Sequence, residues 1–419
     1  MRLEARALQA WRDVRASYWF VPSLLVVGGM ALAMGMGFLD RNPDLVPFDL
    51  PEAWLDTQAD GARVTLSVIA QSIIGIAGVM FSMTIVAVSF ASGNFGPRLI
   101  GNFMRDRANQ WSLGIMFATF AFSLIALRSV QSEAGEEILQ FVPQYSIVMA
   151  MTLAGISLFT LIFFVHHIPE SINVSRISAS LGARLTKAVR QAIDRAEEAD
   201  APARAWPERA PEAVIDAPVA GYVEAVDLER MKEMAEKNDL LIAVVAPPGV
   251  FVANGQTALQ VWTPDPLTDK LRDDLRGCVA MGPRRTEAQN PSFLAEQLVE
   301  MIGRALSPGV NDPYTAIECL NWLMAACVEG TDYRGGLRNF RTGPIAVEEL
   351  TFARLFEVSF SRSRQYIAPD DLARVAALRH MQRLLERARP GDRDLIETEM
   401  AELRAEAKKM GRPEGRPEI

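Results

Sequence analysis

A chain of 419 residues is long enough for two or three domains, and its net charge of −8 argues against nucleic acid as a partner. Three histidines (His166, His167 and His380) and three cysteines at no zinc-like spacing (Cys278, Cys319 and Cys327) make a protein-built metal site or a disulfide framework a poor expectation. No cofactor is expected.

Apolar residues make up 49% of the chain but are unevenly spread. Tyr18–Leu39, Val64–Pro97, Ala108–Leu127 and Ile138–Pro169 contain no Asp, Glu, Lys or Arg. Each run can cross a hydrocarbon layer of roughly 30 Å as a helix, so residues 1–169 read as a four-helix transmembrane domain. Ala31-Leu32-Ala33 could serve as a signal-peptidase site, but the apolar run continues through Met34 to Leu39 and suits a span better.

Basic residues set the orientation. Arg2, Arg6, Arg12 and Arg15 precede the first run, Arg98, Arg105 and Arg107 separate the second from the third, and Arg176, Arg184, Lys187, Arg190 and Arg195 follow the fourth. The opposite loops hold only Arg41, Arg63 and Arg128. Both termini, and the polar C-terminal part, are therefore expected on the cytoplasmic side of the membrane.

The second run is 34 residues long, more than a bilayer needs, and must tilt, bend or project from it. Along it Ser67, Gln71, Gly75, Gly78, Ser82, Ser89 and Gly93 recur at steps of three, four and seven. Such a stripe either packs helices closely or lines a watery path, and the second reading requires a homo-oligomer. The absence of charge within the runs argues against an ion-coupled transporter. His166 and His167, closing the fourth run, are placed to sense pH or simply to sit among lipid head groups.

Residues 170–213 read as a basic amphipathic helix able to lie on anionic membrane lipid or to stack beside its copies, followed by a Pro/Ala linker, "APARAWPERAPEA". Residues 214–283 read as a small β-rich subdomain: "GYVEAV", "LLIAVVA" and "ALQVWT" are β-prone, with the helical "LERMKEMAEK" between the first two. The phrase "PPGVFVANGQTALQV" is similar to half of a biotinyl or lipoyl barrel but lacks an acceptor lysine, so a barrel or sandwich shape is expected without that chemistry.

Residues 284–410 read as helical. Asn290 and Pro291 are placed to start one helix, with Leu294, Leu298, Ile302 and Ala305 on one face; Pro308 and Gly309 end it. Asp312 and Pro313 start the next, with Ile317, Leu320, Met324 and Cys327 on its apolar face. Segments 347–364, 369–388 and 393–410 then read as three further amphipathic helices, and 411–419 as a disordered tail.

No nucleophile elbow, phosphate loop or zincin motif is present, so no catalytic residue is expected and the protein reads as a non-enzyme. Helix starts beside Arg284, Arg285 and Arg304 could hold an anion, but Asp312 would oppose one, which favours capping. Arg304, Asn311 and Tyr314 are the residues of "ALSPGVNDPYTA" that helix punctuation leaves unexplained; with Arg284, Arg285 and Asp312 they form a candidate ligand or subunit contact.

"HHIPESI" (166–172), "GPRRTEAQNPSF" (282–293) and "ALSPGVNDPYTA" (305–316) together resemble a bacterial family of inner-membrane proteins carrying a domain of unknown function. The resemblance runs from the first span to about residue 385 and implies location and topology but no reaction. Asn290 stands where that family's pattern usually has Asp, which keeps capping ability and removes a charge. Two functions follow as expectations. One is a homo-oligomeric channel-like assembly with a cytoplasmic vestibule or gate. The other is a membrane-anchored sensor or scaffold whose cytoplasmic part binds a protein or small ligand.

Overall fold

A computed structural model describes residues 17–45, 58–96, 106–131, 141–198, 207–287, 289–331, 340–348 and 350–411. The first basic cluster, Arg98 and Arg105, most of the Pro/Ala linker and the tail lie outside the described residues, as does the side chain of Arg195. The chain divides into two units, Met1–Gly93 with Pro97–Asn173, and Asn94–Gly96 with Val174–Ile419.

The first unit is built from α1 (Phe20–Arg41), α2 (Ala59–Phe95), α3 (Arg107–Ser129) and α4 (Gln144–Ser171), all long and apolar enough to cross a membrane. Helix α2 is unbroken over 37 residues, about 55 Å. Its buried edge is rich in alanine: Ala62, Ala70, Ala77, Ala87 and Ala91, with Leu66, Ile73 and Met80. All of these but Ala70 and Ala91 join Phe122, Leu113 and Met116 of α3 and Ile147 and Phe164 of α4 in two clusters. Helices α1 and α3 approach so closely that a Cβ on Gly29 would lie 2.6 Å from the Ala118 carbonyl oxygen. Small residues do the packing, as expected where lipid removes the hydrophobic drive between helices.

Polar latches fix the bundle. Thr119 Oγ1 and Ser157 Oγ, both fully buried, meet at 2.9 Å between α3 and α4. The Asp40 carboxylate accepts the Tyr145 N–H at 2.8 Å and the Ser146 N–H at 3.2 Å, tying the end of α1 to the start of α4.

The second unit is α+β. A five-stranded sheet has the order β1 (Ala213–Asp216), β5 (Thr257–Trp262), β3 (Leu241–Val244), β8 (Ile345–Val347), β7 (Phe340–Thr342). A three-stranded sheet has the order β4 (Phe251–Val252), β2 (Gly221–Val226), β6 (Val279–Gly282). Pairing is antiparallel except between β3 and β8. The two open sheets enclose one core of Ile215, Val223, Ile242, Val252 and Leu259, into which α6 (Leu228–Lys237) sends Met231 and α7 (Asp269–Arg276) sends Leu275. The barrel half of the sequence expectation is thus corrected. Turn-and-strand phrases fix which neighbours pair, but closure needs edge strands to meet, and the described edges β1, β7, β4 and β6 do not.

The helical part comprises α5 (Val174–Glu198), α8 (Pro291–Ala305), α9 (Pro313–Thr331), α10 (Phe352–Phe356), α11 (Arg364–Ile367), α12 (Asp371–Arg387) and α13 (Pro390–Lys409). Helix α5 packs on both α8 and α9, and Gly182 accommodates the Trp322 ring, which a Cβ there would meet at 2.5 Å. The face of α9 is shifted from the expected one, with Ala316, Cys319, Leu323 and Ala326 buried beside Leu320 and Cys327.

Segment 347–364 is not one helix, as expected, but β8, α10, a π-helical turn (Glu357–Ser361) and α11. Phe352, Phe356 and Phe360, all buried, explain the turn. Four-residue steps drift around an α-helix, and a wider turn keeps the three rings together, with centroids 5.9 and 5.2 Å apart.

Burial raises the Cys327 thiol to about 12 and that of Cys278 to about 11, and raises Cys319 further. All three are buried free thiols. A thiolate is the reactive form, so the folded protein is expected to resist maleimide at pH 7.5 and to label at three sites once denatured. Stoichiometric labelling without denaturant would contradict this packing.

Candidate functional site

The predicted residues fall into three places. On α2, Gln71, Gly75, Gly78, Ser82, Ser89 and Gly93 are exposed in the single chain and Ser67 is half-buried. A Cβ on Gly75, Gly78 or Gly93 would meet nothing within 4 Å. At 3.6 residues per turn the stripe lies roughly 150° around the helix from the alanine edge. Among the described residues the stripe therefore does not pack on the chain's own helices. Ser82 Oγ donates to the Gly78 carbonyl at 3.0 Å, satisfying itself within the helix, whereas Gln71 presents its carboxamide outward. Gln71 lies eight residues, about 12 Å, beyond Arg63, whose guanidinium donates to the Val130 carbonyl at the end of α3. That depth is close to the bilayer midplane.

The second place is a polar knot at the opposite end of the bundle, drawn from α2, α3, α4 and the residues flanking α1 and α3. Asp106 caps α3 by accepting the Ala108 N–H at 3.0 Å through one carboxylate oxygen. Its other oxygen lies 2.6 Å from His167 Nε2 on α4. Thr84 Oγ1 of α2 donates to Asn109 Oδ1 of α3 at 3.2 Å, both residues being buried. The buried Tyr18 hydroxyl, just before α1, lies against the same two groups. His167 stacks on Phe163, while His166 is exposed and lies 3.3 Å from Glu170. Of the two histidines only His167 is built into the structure. Asp106 and Asn109 were not predicted; the only signal for them was an Asp at a helix N-cap position facing a histidine 61 residues away.

The third place is the run from 284 to 316. Arg285 makes a forked pair with Glu296, a second oxygen-to-nitrogen contact measuring 3.3 Å, and its guanidinium lies 5.2 Å from the Phe293 ring centroid. Arg362 reaches the same carboxylate at 2.9 Å. Arg304 pairs with Glu300 at 3.8 Å. Arg284 is exposed. Arg285 and Arg362 thus converge on Glu296 of α8 while Arg304 pairs within α8, and among the described residues these arginines do not line an open anion site.

The Asp312 carboxylate accepts both the Thr315 N–H at 3.1 Å and the Thr315 hydroxyl at 2.6 Å, as capping requires. The loop closes on itself: Asp312 N–H donates to the Ala305 carbonyl at 2.7 Å and Asn311 N–H to the Ser307 carbonyl at 2.9 Å. Asn311 sits at φ +50°, which explains an Asn there. Tyr314 is 72% exposed and Val310 48%.

Asn290 occupies the N-cap of α8 but makes no capping bond. Its amide is buried against Gly249, where a Cβ would sit 1.9 Å from Asn290 Nδ2. The capping expectation is corrected, because close packing on a glycine at φ +93° claims the side chain. Its neighbour Gln289, unpredicted and at φ +56°, clamps the end of β2 by accepting the Val226 N–H at 2.9 Å and donating to its carbonyl at 3.1 Å.

Four apolar helices and a mixed α/β unit define a multi-pass membrane protein with a large polar part. A family model described as "Predicted membrane protein (DUF2254)" matches residues 15–387, and the chain belongs to that family. It is 28% identical over 402 residues to an uncharacterized protein of Mycobacterium bovis, covering 93% of this chain and 75% of the relative. Uncharacterized proteins from two Mycobacterium tuberculosis strains match at the same identity and coverage. No solved structure matches.

Proposed function

We propose that the protein forms a homo-oligomeric, channel-like assembly in the bacterial inner membrane, with the Gly/Ser face of α2 turned to the symmetry axis. Both termini and the α+β unit are assigned to the cytoplasm, the α+β unit serving as gate. No enzymatic role is assigned. The observation that carries this reading is Gln71, a carboxamide exposed near mid-bilayer on a face made of glycine and serine. Facing lipid, an unpaired amide costs several kcal/mol, whereas copies of α2 around an axis give it partners or water.

Light scattering of the detergent-solubilised protein, followed by conductance in planar bilayers, tests this. A closed oligomer that conducts under voltage, tension or acid supports it; a monomer that stays silent under all three removes it. The exposed Val310 and Tyr314 favour a second reading, a membrane-anchored scaffold that docks a cytoplasmic partner there. Retention of a stoichiometric partner by wild type but not by Tyr314→Asp would support that alternative.

A further inference from the structure

We propose that the outer face between α3 and α4 is a specific site for an anionic glycerophospholipid, its phosphate on Arg107 and one acyl chain lying along the helices. A groove of about 490 Å³ opens there, lined by Arg107, Trp111, Ile115, Ile156, Phe159 and Phe163. Apart from its arginine end the lining is almost wholly apolar. From Arg107 to Ile115 it descends eight residues, about 12 Å, close to half of a roughly 30 Å hydrocarbon layer.

The groove is preformed. At its polar end the His167–Asp106 contact holds α4 to α3, and beyond its deep end the Thr119–Ser157 hydrogen bond does so again. Between these latches the side chains facing outward leave the space open, with Phe159 74% and Trp111 50% exposed. A half-exposed tryptophan one turn inside an arginine is the arrangement expected at a membrane–water boundary.

Charge identifies the occupant. Arg107 is exposed, and among the described residues it makes no ion pair. Its neighbour Asp106 is turned inward, one oxygen on the Ala108 N–H and the other on His167. A second copy of the chain would need a carboxylate at that level, yet Glu170 already faces its own His166. A lipid phosphate meets Arg107 and brings an acyl chain with it.

The other end of α3 repeats the pattern. Arg128 heads a second groove of about 400 Å³ lined by Met30, Ile74, Phe117, Phe120 and Leu124. Arg107 and Arg128 are 21 residues apart, about 32 Å, so they stand at opposite boundaries of the hydrocarbon layer. One helix thus presents an arginine-headed groove to each leaflet.

The test is tryptophan quenching by bromo-acyl lipids in full-length protein reconstituted into vesicles. Wild type and Trp111→Phe are compared so that the Trp111 contribution is isolated. Brominated phosphatidylglycerol is expected to quench that contribution at roughly fivefold lower mole fraction than brominated phosphatidylcholine, the preference one arginine supports at an anionic surface. Arg107→Gln should abolish the preference and Arg107→Lys restore most of it, while melting temperatures stay unchanged because the side chain is exposed. Equal quenching by both lipids would reduce the groove to ordinary annular contact and overturn the proposal. Absence of Trp111 quenching by either lipid would mean that another copy covers the groove, and would overturn it equally.

Discussion

Acidifying the protein from pH 7 to pH 4 is expected to cost its α+β unit about 3 kcal/mol through one imidazole, that of His380. The ring sits on α12, only 8% exposed, with Nε2 donating to Asn321 Oδ1 of α9 at 2.8 Å. Its Nδ1 is buried with no hydrogen-bond partner among the described residues. Burial, together with the guanidinium groups of Arg383 and Arg379, pushes its pKa down to about 4. Above pH 6.5 the ring is neutral in both folded and unfolded chains and costs nothing. Between about 6.5 and 4 the unfolded chain binds a proton that the folded chain refuses, so stability falls with pH; below 4 both are protonated and the loss is complete. His380→Gln keeps a donor for Asn321 but cannot titrate. Thermal melts of the full-length proteins in detergent should therefore show wild type losing roughly 6 to 12 °C more than the variant over that window. Parallel pH curves would mean that water reaches the ring.

Much of this architecture was legible in the sequence because it rests on local rules. The four spans follow from charge-free length, and β2 and α6 match their phrases residue for residue. The Asp312–Thr315 cap and the helix break at Pro308 follow from side-chain chemistry within a few residues. What was not legible depends on distant partners. The β7–β8 hairpin enters the sheet through a parallel pairing of β8 with β3, about a hundred residues earlier, and neither strand carries a strong pattern of its own. Asn290 reads as a cap until Gly249 is placed against it. Asp106 reads as a loop acid until α4 brings His167 to it. On α2 the difficulty is different: the alanine edge and the Gly/Ser stripe are both small, so periodicity finds two faces and cannot say which one the chain itself uses.

That ambiguity makes the α2 substitutions informative. Gly78→Leu adds a large side chain where no described residue lies within 4 Å, so the fold should melt at the wild-type temperature. Gly29→Leu is the contrast, because its first added carbon already collides with Ala118 at 2.6 Å and must push α1 from α3. In the proposed assembly Gly78→Leu separates neighbouring copies of α2, weakening self-association by roughly tenfold for the 1–2 kcal/mol such contacts contribute, and it obstructs the axis. Conductance per reconstituted protein should then be lost, and Ser82→Leu, one turn further along, should behave the same way. Gln71→Leu should reduce conduction with the fold intact, and Gln71→Asn should recover part of it, because the carboxamide is what the axis requires. Lipid-facing residues offer the control: Phe81 and Met83 are exposed roughly 100° around α2 from the stripe, and leucine there should leave assembly and current unchanged. If Gly78→Leu and Gln71→Leu match wild type in both particle size and current, the stripe faces lipid alone and no pore runs along it.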